Sequence, residues 1–400
     1  MANSLLTIDM ITRKSLEILE NNLVISRNCN RQYDDSFAVQ GAKIGSTLRI
    51  RLPDRALVTD GAALQVQDDN EQYTTLSVAS QKHIGINFTS AELTMQLDDF
   101  AERVLKPRIS QLASSIDADV ATAYKSIYNS VGTPGTTPGT SLVLLQAQQK
   151  LNEFATPMSP RYATVNPAAN AGLVEGMKGL FNPTDTVSRQ FKNGMMGTGV
   201  LGFDEINMSQ SIGMHTTGAW GTTITSTGTL STQGQATLPI SFTGSSKTWK
   251  QGDVFTIAGV YAVNPQTRQS TGSLQQFVVT ADLTASSTGT LSISPAIYTA
   301  DHALATVDAF PVATAVVTML GSASTQYAQN LSYHKDAITL ATADLLLPQG
   351  VDMASRQTHN GISMRIVRQY DINNDRMPCR VDVLYGYAAI RPSMATRIWG

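Results

Sequence analysis

The sequence has few cysteines and no long hydrophobic run. Its two cysteines, Cys29 and Cys379, lie far apart in a chain of 400 residues, so they form no disulfide framework and indicate a reducing compartment. No segment approaches the roughly 20 apolar residues of a transmembrane helix. The N-terminus also lacks the basic start and apolar run of a secretory signal. These absences predict a soluble, intracellular protein.

Charge is also scarce. Charged residues make up 15% of the chain and the formal net charge is −2, whereas globular domains usually contain about 25% charged residues. No run of Lys and Arg is present, so binding to nucleic acid driven by counterion release is not expected. The low charge fits a surface covered by partners, and it fits equally a Thr/Ser/Gly-rich β protein that is soluble through its hydroxyl groups.

Catalytic patterns are missing as well. No histidine stands four residues from another, so no zinc-ligand spacing arises, and no serine occupies a nucleophile elbow. The adjacent carboxylates Asp98 and Asp99 are interpreted as flanking a helix. No residue is therefore assigned to catalysis. The five histidines are His83, His215, His302, His334 and His359.

Two stretches match ligand motifs only in part. Residues 197–202 have the glycine spacing of a dinucleotide-binding loop, but no helix follows them whose N-terminus would hold a pyrophosphate. Residues 371–375 begin like a calcium loop, yet Arg376 replaces the required glycine and Asp382 replaces the bidentate glutamate. The first stretch is interpreted as a loop before a strand and the second as a turn, with no cofactor and no metal.

The N-terminal segment has a helical pattern. Apolar residues recur there at the spacing of one helix face, and a polar run over residues 28–35 separates them from the next apolar pattern. The helix is expected either to pack on another molecule as an arm or to fold onto its own domain. Its apolar residues are Leu5, Ile8, Ile11, Leu16 and Leu19.

Residues 41–97 are predicted to be extended. Two runs alternate apolar and polar residues, which is the period of a half-buried strand, and turn residues lie between them. Together they predict a projecting β-hairpin with a polar tip, which needs a neighbour because an isolated hairpin is marginally stable. The alternating apolar residues are Leu48, Ile50, Leu52, Ile84, Ile86 and Phe88.

A long helix is predicted after Pro107, which suits a first helical turn. Its apolar stripe continues for about six turns until the Gly/Pro/Thr-rich residues 132–139 end it. Ser115 lies on the opposite face and is expected to be exposed. The stripe consists of Ile109, Leu112, Ile116, Val120 and Ile127.

The rest of the chain divides by composition. Residues 141–215 alternate helical and strand patterns, which is typical of α/β or α+β proteins. Residues 216–329 are rich in Thr, Ser and Gly, and short apolar runs at 255–257, 277–279 and 291–293 predict an inserted antiparallel barrel or sandwich. In the final segment, runs at 364–370 and 381–385 flank a polar turn and predict a hairpin.

Several segments resemble the major capsid proteins of tailed double-stranded DNA bacteriophages, in particular podovirus-type coat proteins with an inserted β domain. Residues 330–340 and 385–392 are similar to the closing strands of that family, and residues 105–117 to the start of its spine helix. Residues 202–218 resemble the strand that leads to the insertion, and residues 252–260 a strand pair within it. The resemblance covers most of the chain, although residues 32–97 match by pattern only.

This resemblance implies an α+β fold of the Hong Kong 97 capsid type with an inserted antiparallel β-barrel. The expected segments are an N-terminal arm (1–36), an extended hairpin (37–97), the spine helix of a peripheral domain (98–132), the first part of an axial domain (133–215), the inserted barrel (216–329), and closing strands shared by the axial and peripheral domains (330–400).

The implied function is structural and not enzymatic. The chain is expected to form the hexamers and pentamers of an icosahedral shell around packaged double-stranded DNA, through a scaffolded procapsid that expands. Expected partners are other copies of the chain, a scaffolding protein, a portal protein, optionally a decoration protein, and DNA contacted without sequence specificity; no membrane is expected. Assembly would occur in the host bacterial cytoplasm and the product would be part of the virion.

Three alternatives stay open at this point, and one of them, an enzyme, would need a polar cluster that the sequence does not show. A bacterial nanocompartment shell protein has the same fold, although the β insertion argues against it. A β-rich carbohydrate-binding protein or adhesin would explain the Thr/Ser-rich middle, but a secretion signal and exposed aromatic pairs are not evident.

Overall fold

The computed structural model describes residues 8–32, 47–59, 61–62, 64, 66, 72–88, 106–176, 197–373 and 376–400. Within these residues the helices are α1 (Ile8–Asn22), α2 (Lys106–Ala121), α3 (Ser141–Glu153) and α4 (Pro167–Gly176). The strands are β1 (Thr47–Arg51), β2 (Tyr73–Ser77), β3 (Ser80–Phe88), β4 (Ser130–Val131), β5 (Arg161–Val165), β6 (Gly197–Val200), β7 (Phe203–Met208), β8 (Met214–Thr216), β9 (Thr222–Ser226), β10 (Gln235–Thr243), β11 (Lys247–Trp249), β12 (Val254–Val263), β13 (Ser270–Val279), β14 (Leu283–Ala285), β15 (Thr288–Ile297), β16 (Val317–Met319), β17 (Gln326–His334), β18 (Ile338–Ala343), β19 (Met353–His359), β20 (Ile362–Arg368), β21 (Met377–Ala389) and β22 (Ala395–Trp399).

The chain divides into two compact units, each built from separate segments. The first unit comprises Met1–Ile50, Thr74–Val120 and Ile338–Ile390. The second comprises Arg51–Tyr73, Ala121–Ala337 and Arg391–Gly400. The six segment boundaries expected from the sequence stay predictions.

The first unit is organised around an antiparallel sheet. Its strand order is β18-β21-β20-β19, and β3 pairs with β21. The predicted C-terminal hairpin is confirmed, because β20 and β21 pair with Arg365 opposite Asp382. Helix α1 lies against β19 and β20, and its Leu16 and Leu19 are buried. The N-terminal helix therefore folds onto its own chain.

A buried carboxylate, Asp117 of α2, holds the segment that follows α1. It accepts hydrogen bonds from the backbone N–H groups of Val24 (2.6 Å) and Ser26 (3.0 Å) and from the Ser26 hydroxyl (2.5 Å). Burial raises the pKa of this carboxyl above its usual range, although the three donors act in the opposite direction. Desolvation of the charge thus outweighs the hydrogen bonds that favour it.

The predicted hairpin has a different second strand from the one expected. β1 pairs with β2, whereas the run that contains Ile84 and Ile86 is β3, which pairs along nine positions with β21. The physical reason is burial, since Ile86 is 2% exposed and the edge of β21 offers a long antiparallel partner. Of the predicted tip, residues 60, 63, 65 and 67–71 lie outside the described residues.

Helix α2 is shorter than predicted. It ends at Ala121 and the chain continues as a 3-10 turn over Thr122–Ser126, after which Ile127 is extended. The tighter turn is closed by a hydrogen bond from the Ile127 N–H to the Tyr124 carbonyl (3.0 Å). The predicted apolar stripe itself is confirmed, because all five of its residues are at most 3% exposed: Ile109, Leu112, Ile116, Val120 and Ile127.

The main sheet of the second unit has the order β4-β22-β17-β5-β7-β6, with β8 also paired to β17. β5 and β7 are parallel, and so are β4 and β22, whereas β17 is antiparallel to both of its neighbours in that order. Helices α3 and α4 contribute to one hydrophobic cluster with this sheet, which confirms the alternating helix and strand pattern. The cluster includes Leu144, Leu151, Ala163, Val165, Leu173, Phe203 and Ile398.

The Thr/Ser-rich segment forms the predicted antiparallel β domain. Its six strands have the order β16-β12-β13-β15-β10-β9, and a bridge between Thr225 and Val316 brings the first and last strands together. The three predicted apolar runs lie in β12, β13 and β15. The buried cluster inside comes entirely from residues 224–317 and includes Trp249, Phe255 and Phe277. The segment therefore contains a hydrophobic core of its own.

Candidate functional site: a polar junction at the base of the inserted domain

The structure keeps the sequence-based candidate motifs apart. Residues 197–202 are β6 and a turn, which lead into β7 and not into a helix. The chain turns between β6 and β7, where Leu201 and Gly202 adopt positive φ angles of 53° and 77°. A turn of this kind offers no helix N-terminus to a phosphate.

The calcium-like stretch is a turn in its described part. Asp371 and Arg376 form a β-bridge, and the Asp371 carboxylate accepts a hydrogen bond from the Asn373 N–H at 3.1 Å. Residues 374–375 lie outside the described residues, as do Asp98 and Asp99. Among the residues described, no group of three His, Cys, Asp or Glu side chains is placed to hold a metal ion.

The histidines are dispersed, and each of four has its own local partner. His334 lies 3.8 Å from Asp336, His359 lies 3.2 Å from Glu20, and His302 stacks on Tyr298. His215 differs from the others because it is 3% exposed and its Nε2 lies 2.9 Å from the Asp253 carboxylate. This pair is the centre of a buried polar cluster, which we call the junction.

Asp253 joins the start of the inserted domain, at Gly218, to the turn that contains Lys250. Its carboxylate accepts the backbone N–H of Gly218 at 3.1 Å and that of Lys250 at 2.7 Å, in addition to its contact with His215. The aspartate is 1% exposed. A buried carboxylate is stable only when its oxygen atoms are hydrogen-bonded, and here three donors from two segments of the chain meet that need.

Arg397 of β22 forms the other side of the junction. Its guanidinium donates to the carbonyls of Ile127 (2.7 Å) and Gly252 (2.8 Å) and to the Gln329 side chain (3.3 Å). Burial lowers the pKa of Arg397 to about 9, and Tyr124 and Asp253 oppose that change. The arginine thus ties the turn after α2 and the inserted domain to the last strand of the main sheet.

Tyr124 completes the junction. Its hydroxyl lies 3.3 Å from His215 Nδ1, and its ring lies 5.4 Å from the Arg397 guanidinium carbon. An Asp-His-hydroxyl order of this kind occurs in nucleophilic catalysis, which requires an activated hydroxyl. Here burial raises the pKa of Tyr124, and all three side chains are at most 3% exposed. The geometry supports packing and not activation of a nucleophile.

Further hydrogen bonds connect the inserted domain to the helix and sheet beside it. The Gln276 amide accepts from the Ser130 N–H (2.6 Å) and donates to the Ser130 carbonyl (3.0 Å), as a strand would. Asn264 donates to the Glu153 carbonyl at the end of α3 (2.8 Å). The inserted domain is therefore held by more than its chain connections to β8 and β17. Side-chain hydrogen bonds also attach it to β4 and α3.

Asp253, Arg397 and Tyr124 are not recognisable as site residues from the sequence alone. A weak signal was present in two places. Arg397 stands between Thr396 and Ile398 in a strand whose five residues are all buried, and Asp253 follows a turn and precedes the apolar run of β12. A single charge in an apolar strand indicates a buried partner, but the sequence does not reveal which one.

None of the described helices is both long and apolar enough to cross a bilayer.

The chain is thus an α+β protein whose inserted β domain is held by a buried polar cluster. The family model of the P22 coat protein matches residues 1–400. The chain therefore belongs to the P22 coat protein family, which is the family indicated by the resemblance of its closing strands.

Individual relatives are more distant. The chain is 23% identical over 338 residues to the major capsid protein of Acyrthosiphon pisum secondary endosymbiont phage 1, covering 79% of each chain. A structure from Mycobacterium phage Che8 is 12% identical, with a TM-score of 0.48 over 94% of this chain and 90% of that one. The CUS-3 coat protein I-domain is 29% identical over 25% of this chain and 96% of its own length, with a TM-score of 0.20.

Membership of the family decides between the alternatives left open by the sequence. The chain is a phage major capsid protein that forms part of a multimeric shell, and it is not an enzyme. The predicted fold class, an α+β capsid fold with an inserted β domain, is confirmed. The nanocompartment and adhesin alternatives are set aside.

Proposed function

We propose that this chain assembles into hexamers and pentamers of an icosahedral shell that encloses packaged double-stranded DNA, through a procapsid that forms on a scaffolding protein and then expands. A portal protein and, optionally, a decoration protein would complete the shell in the host cytoplasm. The near-neutral charge of the chain supports contact with DNA that is weak and independent of sequence. Electron microscopy of the purified protein, expressed with its scaffolding protein, tests the proposal by the presence of closed shells.

The observation that carries this proposal is an apolar surface on the segment after β1. Val58, Leu64 and Val66 are 84–91% exposed, although each would be stabilised by burial. Exposed apolar side chains grouped on one segment indicate a contact with another molecule. In a shell of identical subunits, that molecule is a neighbouring copy, and the hairpin reaches over it.

The hairpin contact predicts a specific assembly defect. The triple substitution Val58→Glu, Leu64→Glu, Val66→Glu should leave the subunit folded, because these side chains are exposed, but should prevent closed shells by placing three carboxylates in an apolar contact. The measurement is electron microscopy combined with size-exclusion chromatography. Thr59→Glu, an exposed change on the same segment, is the matched control and should assemble. Normal shells from the triple variant would contradict the hairpin contact.

The inserted domain is also proposed to fold as an independent module. Its buried cluster lies within its own residues, and burying one large apolar side chain contributes about 1.5–3 kcal/mol. Residues 216–329 expressed alone should show β-type circular dichroism and a cooperative melt. A disordered fragment would show that the insertion folds only within the whole chain.

A further inference from the structure

The turn between β12 and β13 in the inserted domain is held by several hydrogen bonds. The Asn264 side chain accepts the N–H groups of Gln266 (2.9 Å) and Thr267 (3.0 Å), and its backbone pairs with Arg268 (2.8 Å) and Gln269 (3.0 Å). The Asn264 amide also donates to the end of α3. These hydrogen bonds fix the shape of the turn and attach it to the end of α3.

This turn presents one arginine. Arg268 adopts a positive φ of 57°, a conformation uncommon for a residue other than glycine or asparagine. Its side chain is half-buried, although the flanking Thr267 and Gln269 are exposed. Its guanidinium Nη2 donates to the backbone carbonyl of Ala56 at 2.6 Å, so it contacts the segment that follows β1, over 200 residues earlier in the sequence.

The residues next to Ala56 are less exposed than Ala56 itself. The charge of Arg55 acts on Tyr128, because it opposes the rise to about 12 that burial imposes on the pKa of Tyr128. Tyr128 belongs to the buried cluster with Trp399, Val254 and Val278. Arg55 and Leu57 are half-buried, whereas Ala56 and Val58 are exposed, so one side of the segment faces the rest of its own unit.

We propose that the β12–β13 turn of the inserted domain is a clamp for residues 52–59 of the same subunit, with Arg268 as the residue that holds them. The clamp fixes the segment that ends in the exposed Val58 before any other subunit is bound. A backbone carbonyl as the acceptor means that the clamp does not depend on the identity of residue 56. Its existence does not depend on the proposed shell, because the contact lies within one chain.

A distance measurement on the unassembled full chain tests the clamp. Spin labels are attached to cysteines introduced as Val58→Cys and Thr290→Cys, both at exposed positions. Of the native thiols, Cys29 is buried and does not react, and the half-buried Cys379 is replaced by serine in every variant. Pulsed electron paramagnetic resonance then gives the distribution of distances between the segment and the barrel.

The parent should give one narrow distribution, and Arg268→Asn should broaden it at least about twofold. Asparagine tolerates the positive φ of position 268 but is too short to reach the Ala56 carbonyl. Gln266→Asn changes an exposed side chain of the same turn and should leave the distribution narrow. A broad distribution in the parent, or an unchanged one in Arg268→Asn, would overturn the clamp.

Discussion

Replacing Val120 by aspartate is expected to abolish the soluble folded subunit. Val120 is fully buried at the end of α2, and an isolated carboxylate in an apolar site costs more than typical domain stabilities of about 5–15 kcal/mol allow, unless it is neutralised or partnered. The measurement is the soluble fraction after expression, followed by circular dichroism of whatever is recovered. A Val120→Asp variant that folds and assembles like the parent would show that the stripe is not core.

Two further variants of α2 test whether the loss of folding depends on burial of the substituted side chain or follows any substitution in the helix. Ile116→Ala on the same stripe should cost roughly 2–5 kcal/mol and should yield less soluble protein without eliminating it. Gln111→Lys, at an exposed position of the same helix, should be neutral. Ser115 is not a suitable control, contrary to the expectation from the sequence. Its hydroxyl and carbonyl hold the Lys82 ammonium at 2.7 and 3.0 Å, so a lysine at position 115 would meet a like charge.

The spacing of apolar residues predicts a helix or strand correctly where the segment buries one face against a partner close to it in the sequence. The stripe of α2 has helical spacing because one face of the helix is core, and every stripe residue is buried. The strands of the inserted domain were predicted for the same reason, since their partners lie within the same 114 residues (216–329). In both cases the period of the apolar residues carries the information.

Pairing between distant segments was not predictable from the pattern. β1 and β3 both alternate, and alternation does not identify the partner of a strand. β1 pairs with the nearby β2, whereas β3 pairs with β21, almost 300 residues later. The end of α2 was misjudged for a related reason. Ile127 continues the helical spacing, but its carbonyl is held by Arg397 from the last strand, which the local sequence does not show.

The junction could not be predicted from the sequence, because none of its residues lies in a recognisable motif. His215, Asp253 and Arg397 stand in three separate segments, and each is a single polar residue among apolar or turn residues. Only the folded chain brings them into one buried cluster. The properties of such a site depend on contacts between residues far apart in the sequence, and a single sequence does not show which residues are in contact.

The largest effect predicted within the inserted domain follows from this cluster. Asp253→Ala removes the acceptor of three donors: the His215 ring and the N–H groups of Gly218 and Lys250. Each buried donor left without a partner costs about 1–3 kcal/mol, so the variant should lose at least about 3 kcal/mol. Thermal denaturation of the full chain, followed by circular dichroism, measures the loss.

Asp282→Ala is the matched control for that experiment. Asp282 also accepts a backbone N–H, that of Gln251 at 2.7 Å, and it pairs with Lys250 at 2.8 Å, but its side chain is 57% exposed. Water replaces both contacts when the carboxylate is removed, so the melting temperature should change little. The difference in melting temperature between the two variants then reports the effect of burying the carboxylate, because both variants lose one negative charge. If both variants melt at the temperature of the parent, the junction does not stabilise the inserted domain. If both fall equally, the effect belongs to the turn they share, which contains Lys250 and Gln251, and not to the buried cluster.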